Sequence, residues 1–248
     1  MGMLSSGFLT IVSALILYPI GKGVWVNRIQ ARMMAIIAPL LAGIDVDIVS
    51  GKEYLKFTGP CVYVSNHQAN LDMLVLAETL AERVVICAKS EIKFWPIIGQ
   101  VLFAGQNIFI DRKNRKNAID AMNSVGKRMK EKNLALWMYP EGTRTHQIDN
   151  SLGQFKKGAF HLAKQLNCPI VPIVASTYYP VYNEKRMIFE QGTVQVKVLP
   201  PIQPEGTVDE LMEKTRKAMG DALKTIKTIP KDQELVNSIT AQYEKKNQ

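Results

Sequence analysis

The sequence predicts an α/β protein with a mostly parallel sheet flanked by helices, preceded by an N-terminal membrane-embedded helical segment. The first observation is that short apolar strands alternate with helices from Asp47 onwards, as in folds whose sheet is covered on both faces. The second is that residues 4–20 are almost entirely apolar. These two patterns divide the chain into an N-terminal segment, residues 1–46, and one main domain, residues 47–230.

The N-terminal segment contains two apolar runs, Leu4 to Ile20 and Met33 to Ile44. A membrane-spanning helix needs about 20 apolar residues, so the first run is borderline and the second is too short. We therefore expect two short helices that enter one leaflet, with Arg28 and Arg32 at the lipid headgroups. The alternative is a pair of core helices in a soluble domain.

The main domain is predicted from its hydrophobic periodicity. The expected strands are residues 61–64, 84–87, 107–110, 134–139, 170–175 and 193–199. The expected helices are residues 71–82, 117–132, 155–166 and 207–226. Thr207 and Glu210 form the capping box of the last helix, and residues 231–248 are predicted to be a polar tail.

Charge and cysteine content exclude some classes of protein. The 31 Lys and Arg against 22 Asp and Glu give a net charge of +9, which fits nucleic acid, an anionic membrane or an acidic substrate equally well. Cys61, Cys87 and Cys168 are too scattered for a disulfide framework or a zinc site. We interpret them as small core residues in a reducing compartment, and we predict no metal site.

The first candidate site follows the strand at residues 61–64 and contains His67 and Asp72. Residues five apart in one helix point about 140° away from each other, so the two side chains meet only if His67 lies in the turn before the helix. Asn70 is the candidate N-cap of that helix. A carboxylate on one imidazole nitrogen leaves the other free to act as a base on an alcohol. A purely local hydrogen bond is the alternative.

Two further strands also end in charged residues. Glu141-Gly142-Thr143-Arg144 follows residues 134–139, and Asp111-Arg112 ends the segment that Gly105 begins. The planar guanidinium fork suits phosphate, and Glu141 would either orient Arg144 or hold a substrate hydroxyl. An ordinary polar turn is the alternative. The cation-rich segment at residues 111–132 indicates a solvated face, a surface on anionic lipid or a dock for an acidic carrier protein.

In this order and spacing, the motifs resemble the phospholipid/glycerol acyltransferase family, most closely its 1-acyl-sn-glycerol-3-phosphate acyltransferase members. The family's Asn-His-x4-Asp motif falls on Asn66, His67 and Asp72. Its glycine-led strand ending in Arg falls on residues 105–112, and its Glu-Gly-Thr-Arg motif on residues 141–144. Residues 171–174, which surround a proline, match its fourth motif, and Lys89 is a smaller family-like feature.

The resemblance implies an acyltransferase domain over residues 47–230. His67, held by Asp72, would deprotonate the sn-2 hydroxyl of lysophosphatidic acid, which would attack the thioester of acyl-CoA or acyl-carrier protein. The implied phosphate-binding residues are Arg112, Glu141, Gly142, Thr143 and Arg144, with Asn66, Lys89 and Gly105 as further candidates. The resemblance implies no metal or bound cofactor and no nucleic acid; the partners are these substrates and a phospholipid membrane surface.

Other functions compete with this one. A sister acyltransferase for glycerol-3-phosphate or another lysophospholipid would keep His67 and Asp72. A lipid hydrolase would usually carry a Gly-x-Ser-x-Gly elbow, which the sequence lacks. A non-catalytic membrane-binding module explains the charge but not the His/Asp motif. Small sequence details favour the cytoplasmic face of a bacterial inner membrane, with the endoplasmic reticulum membrane as the alternative.

Overall fold

The computed structural model describes residues 10, 12–56, 58–110 and 115–246. The strands are β1 (Ile44–Ser50), β2 (Val62–Ser65), β3 (Val84–Lys89), β4 (Ile108–Ile110), β5 (Ala135–Met138), β6 (Ile170–Ala175), β7 (Tyr182–Asn183), β8 (Ile188–Phe189), β9 (Gly192–Val198) and β10 (Thr228–Pro230). The helices are α1 (Val24–Ala42), α2 (Asp72–Thr79), α3 (Ile98–Ala104), α4 (Arg115–Lys132), α5 (Gly158–Leu166), α6 (Val208–Leu223) and α7 (Gln233–Lys246). Residues 12–17 are also helical.

The predicted mostly parallel sheet is confirmed. Its strands lie in the order β1-β9-β6-β2-β5-β3-β4, and β10 pairs with β9. In this sheet β6 and β10 run antiparallel to β9, and the other neighbouring strands are parallel. The carboxyl ends of β6, β2, β5, β3 and β4 therefore meet at one edge of the sheet. The separate hairpin of β7 and β8 follows β6 in the chain.

Two hydrophobic cores cover the two faces of the sheet. In β2, Tyr63 belongs to the core beneath α1 and α2, whereas Val62 and Val64 belong to the core beneath α4, α5 and α6. In β5, Trp137 and Leu136 alternate in the same way and both are fully buried. Strands buried on both faces are continuous apolar runs, which is why the sequence pattern predicts them well.

The ends of the main domain differ from the expectation. Strand β1 begins at Ile44 and pairs with β9, so the predicted boundary between residues 46 and 47 falls inside a strand. The predicted polar tail is largely the helix α7, which buries Val236. The capping box of α6 is present, with Thr207 and Glu210 bonding each other's backbone N–H groups.

The N-terminal segment packs on the sheet domain more closely than we expected. Instead of a separate helix at residues 33–44, α1 runs from Val24 to Ala42, and Val26 is completely buried. The Arg28 guanidinium, expected at lipid headgroups, donates a hydrogen bond to the carbonyl of Leu80 at the end of α2. None of the helices in the described part of the chain is long and apolar enough to cross a membrane.

The segment nevertheless leaves much apolar surface exposed. The large apolar residues of this segment with more than half of their surface exposed are Leu15, Ile16, Ile20, Ile36, Leu40 and Leu41. The opposite face of α1 carries Asn27, which is buried and donates hydrogen bonds to the carbonyls of Val84 and Gly105. One face of α1 is therefore fixed to the domain, while other apolar side chains of the segment face outward.

Candidate active site

His67 lies in the turn between β2 and α2, as the spacing predicts. Asp72 is the first residue of α2, and its Oδ2 accepts a hydrogen bond from Nδ1 of His67 at 2.6 Å. The same carboxylate accepts the backbone N–H groups of Gln68 and Ala69 at 3.0 and 3.1 Å, which closes the turn. With Nδ1 as the donor, Nε2 is the unprotonated nitrogen of the ring, as a general base requires.

The prediction that Asn70 caps α2 is wrong. The N-cap position is Leu71, which makes no side-chain cap, and the Asn70 amide instead donates to Glu184 at 2.6 Å. The physical reason is that the Asp72 carboxylate already accepts the backbone N–H groups of the turn. Asn70 is therefore free to contact the residue that follows the short strand β7.

Two tyrosines that were not predicted to be site residues complete the environment of the pair. The Tyr178 hydroxyl donates to Oδ1 of Asp72 at 2.6 Å, and the Tyr139 ring stacks on the His67 imidazole with the ring centroids 4.1 Å apart. Burial, followed by the charge of Asp72, raises the pKa of both phenols well above its usual value. Tyr178 therefore remains a hydrogen-bond donor across the physiological pH range.

The Glu141 carboxylate supports the backbone of His67. Glu141 is buried; its Oε1 accepts the N–H of His67 at 2.9 Å, and its Oε2 accepts the N–H of Gly153 at 3.1 Å. Thr145 binds the carbonyl side of the same residue by donating its N–H and its hydroxyl to the His67 carbonyl. Burial raises the pKa of Glu141, although the two N–H groups oppose the shift. Glu141 was predicted to orient Arg144 or to hold a substrate hydroxyl, whereas its two carboxylate oxygens accept the N–H groups of His67 and Gly153.

Asn66 and Gln68 join the same turn to the end of β6. The Asn66 side chain exchanges two hydrogen bonds of 2.9 Å with the backbone of Ala175. Gln68 donates to the carbonyls of Ala175 and Ser176 and accepts the N–H of Tyr178. The candidate residue Asn66 therefore positions the turn, and this link brings Tyr178 to Asp72.

Those predicted phosphate-binding residues that the structure describes lie at the same edge of the sheet as His67. Thr143 and Arg144 are exposed, and Gly142 has a φ of 70°, which favours glycine. The Lys156 side chain lies across Gly142, adding a cation that we had not predicted at this place. Arg112 lies outside the described residues.

The two remaining candidates lie apart from His67. Lys89 ends β3 at the same sheet edge, where it forms a half-exposed ion pair with Glu91 at 3.0 Å. Gly105 precedes β4 and therefore lies at the opposite edge; a Cβ atom there would come within 2.0 Å of the Asn27 Oδ1. This close approach of Asn27 explains why position 105 is a glycine. Within the described residues, no three His, Cys, Asp or Glu side chains converge as metal ligands do.

This chain is similar to known acyltransferases. A 1-acyl-sn-glycerol-3-phosphate acyltransferase of Saccharomyces cerevisiae is 34% identical over 224 residues, which are 89% of this chain and 73% of that protein. The beta form of Homo sapiens is 42% identical over 182 residues, 72% of this chain and 65% of that protein. This chain therefore spans about two thirds to three quarters of the length of these relatives.

The fold also has a counterpart among solved structures. The crystal structure of the 1-acyl-sn-glycerophosphate (LPA) acyltransferase PlsC from Thermotoga maritima superposes with a TM-score of 0.63, covering 89% of this chain and 95% of that one. At 19% identity this likeness concerns the fold alone. The family described as Acyltransferase matches residues 48–176, which include His67, Asp72 and the segment from Glu141 to Arg144. The chain is a member of the acyltransferase family.

Proposed function

We propose that this chain transfers a fatty acyl group from acyl-CoA or acyl-carrier protein to the sn-2 hydroxyl of 1-acyl-glycerol-3-phosphate and so forms phosphatidic acid. The observation that carries the proposal is the pairing of the partly buried His67 with the buried Asp72 at the carboxyl edge of the sheet. The names of the yeast and human relatives supply the substrate.

In this mechanism Nε2 of His67 removes the proton of the sn-2 hydroxyl. The alcohol oxygen attacks the thioester carbonyl, the C–S bond breaks as the tetrahedral intermediate collapses, and the thiolate takes the proton from the imidazolium. Asp72 faces the positive charge that develops on the ring, while Tyr178 and two backbone N–H groups hold the carboxylate in place. The stacked ring of Tyr139 limits rotation of the imidazole.

The phosphate of the acceptor is assigned to cations at the same sheet edge. Arg144 is exposed and follows the turn that Glu141 fixes, so its guanidinium is available to a phosphate. Arg112 and Lys156 are the further phosphate ligands of the proposal, with Gly142 and Thr143 shaping that end of the site. The reaction needs no metal or bound cofactor, because His67 supplies the base and the thioester supplies an activated acyl group.

We further propose that residues 1–46 attach the domain to a membrane surface. The support is the exposed apolar surface formed by side chains such as Leu15, Ile16 and Leu40, the last of which is 79% exposed. Because the opposite side of α1 is fixed to the domain through Asn27, such an attachment would set the orientation of the sheet. The cytoplasmic face of a bacterial inner membrane, or the endoplasmic reticulum membrane, stays a prediction.

The experiment is acyl transfer from oleoyl-CoA by detergent-solubilised protein to lysophosphatidic acid, glycerol-3-phosphate or lysophosphatidylcholine. Phosphatidic acid formed from the first acceptor and lost in His67→Ala is the expected result. His161→Ala, which changes an exposed histidine of α5, is the control. Preference for another acceptor would overturn the substrate, and turnover that survives in His67→Ala would overturn the mechanism.

A further inference from the structure

An open groove of about 580 Å³ lies beside β4, the edge strand of the sheet. Three strand spacings of about 4.8 Å separate β2 from β4, so β4 lies roughly 14 Å across the sheet from the strand that leads to His67. Its walls combine three aromatic side chains with three cations: Tyr18, Phe103, Phe109, Lys93, Arg128 and Lys132. The proposed acyl transfer assigns no role to these six residues.

The aromatic wall connects the groove to the N-terminal segment. The rings of Tyr18 and Phe103 are in contact, with centroids 5.9 Å apart, and each side chain is about half exposed, at 46% and 52%. Tyr18 adjoins the exposed apolar residues Leu15, Ile16 and Ile20 in the sequence. The groove and the surface that we propose to contact the membrane are therefore continuous at Tyr18.

The cations come mainly from α4, and one of them is held in place. The Arg128 guanidinium donates to the carbonyl of Gln106 at 2.8 Å, and Nζ of Lys132 lies 3.4 Å from Oε1 of the same residue. Among the described residues that line the groove there is no Asp or Glu to neutralise Arg128, Lys132 or Lys93. The groove thus has an uncompensated positive side beside an aromatic side.

We propose that this groove binds the headgroup of an anionic bilayer phospholipid, with the phosphate on Arg128 and Lys132 and the first carbons of the acyl chains against Tyr18 and Phe103. Aromatic side chains with a polar tip favour the headgroup level of a bilayer, and nearby cations favour anionic lipid. The proposal rests on the membrane attachment in the proposed function, and it does not require acyl transfer.

An acidic carrier protein fits the groove less well. Such a protein would pair its carboxylates with cations on an open helix face, such as Lys127 and Lys130 of α4, both of which are exposed. It would leave the aromatic wall of the groove in water, whereas a phospholipid covers both the cations and the aromatic rings. A lipid in this groove would also hold the edge of the sheet at the membrane surface, where a lysophospholipid acceptor resides.

The test measures binding of the full chain to vesicles by flotation, without any acyl donor. The vesicles are phosphatidylcholine alone or phosphatidylcholine with phosphatidylglycerol. Arg128→Gln combined with Lys132→Gln removes the groove cations, and Lys127→Gln combined with Lys130→Gln removes the same charge from other positions of the same helix. Circular dichroism and thermal unfolding establish that each variant is folded. Phe103→Ser changes an exposed residue of the aromatic wall.

We expect the groove pair to weaken binding to the anionic vesicles by about fivefold per cation, so about 25-fold together, and the control pair to weaken it far less. Phe103→Ser should weaken binding to both kinds of vesicle. Equal losses in the two charge pairs would show diffuse attraction and overturn the proposal. Unchanged vesicle binding of the groove pair would also overturn the proposal. If the same variant lost acyl transfer from acyl-carrier protein in a separate assay, the groove would instead be a carrier dock. If the wild type transferred no acyl group while the groove pair still weakened vesicle binding more than the control pair, the proposed function alone would be refuted.

Discussion

Replacing Tyr178 by Phe tests whether the hydroxyl on Asp72 contributes to catalysis through the orientation of His67. Tyr178 is 3% exposed, and its hydroxyl donates to Oδ1 of Asp72 at 2.6 Å, whereas His67 occupies Oδ2. Phe keeps the ring and fills the same space, so the change removes one hydrogen bond and creates little cavity. Tyr178 is therefore a positioning residue that acts through Asp72.

The size of the effect follows from the donors that remain on Asp72. A hydrogen bond to an ionised group contributes about 1.5–3 kcal/mol, and we expect the free energy of unfolding to fall by about that amount. His67 and the backbone N–H groups of Gln68 and Ala69 still hold the carboxylate, so its orientation is loosened but not lost. We expect about 1.4 kcal/mol of the loss to appear in the transition state, which is about a tenfold lower kcat.

The assay compares kcat, KM for lysophosphatidic acid and urea unfolding in the wild type and the variant. Tyr63→Phe is the matched control, because Tyr63 is also buried but its hydroxyl donates to the Tyr54 carbonyl, at 3.5 Å, rather than to Asp72. The expected result is a lower kcat with an unchanged KM in Tyr178→Phe alone. Lower stability with an unchanged kcat would refute the positioning role, as would an equal loss of kcat in the control.

Two predictions concern stability. Because burial raises the pKa of Glu141 above its ordinary 4.5, folding favours its protonated form, and this contribution to the free energy of unfolding is lost as pH rises through the raised pKa. In urea unfolding, the free energy of unfolding contributed by Glu141 should therefore fall between pH 4 and pH 7, and Glu141→Gln should remove that fall. The same difference in free energy between pH 4 and pH 7 in the wild type and the variant would contradict the prediction. Gly105→Ala would place Cβ 2.0 Å from Oδ1 of Asn27 and should lower the free energy of unfolding by about 1–3 kcal/mol. Gly158→Ala, where a Cβ meets nothing within 4 Å, is the control in thermal unfolding, and equal shifts in the two variants would contradict the clash.

The features of the site that depend on local sequence were predictable. His67 and Asp72 follow a strand whose apolar pattern is unmistakable, and the helical angle between them restricts their contact to the turn before α2. The parallel sheet then brings the Glu141 segment to the same edge, because both strands end there. The mostly parallel sheet was therefore predictable from the alternation of strands and helices, whereas the strand order was not.

Contacts between distant parts of the chain were not predictable. Tyr178 lies 106 positions from Asp72, and no local pattern marks it as a partner. Arg28 follows an apolar run and therefore resembles a cation at a membrane interface. Its hydrogen bond to the carbonyl of Leu80 depends instead on the way α1 crosses α2. Glu141 lies 74 positions from His67, and its two N–H partners depend on the path of two loops.

The spacing of five positions between His67 and Asp72 has a consequence for how variants of this pair are interpreted. The carboxylate that orients His67 also accepts the N–H groups of Gln68 and Ala69, so it forms the turn that carries the imidazole. Removing that carboxylate would change the backbone and the catalytic geometry together, and lost activity could not be assigned to either cause. Removing the Tyr178 hydroxyl leaves both backbone bonds in place, so a change in kcat then reports the orientation of the His67–Asp72 pair.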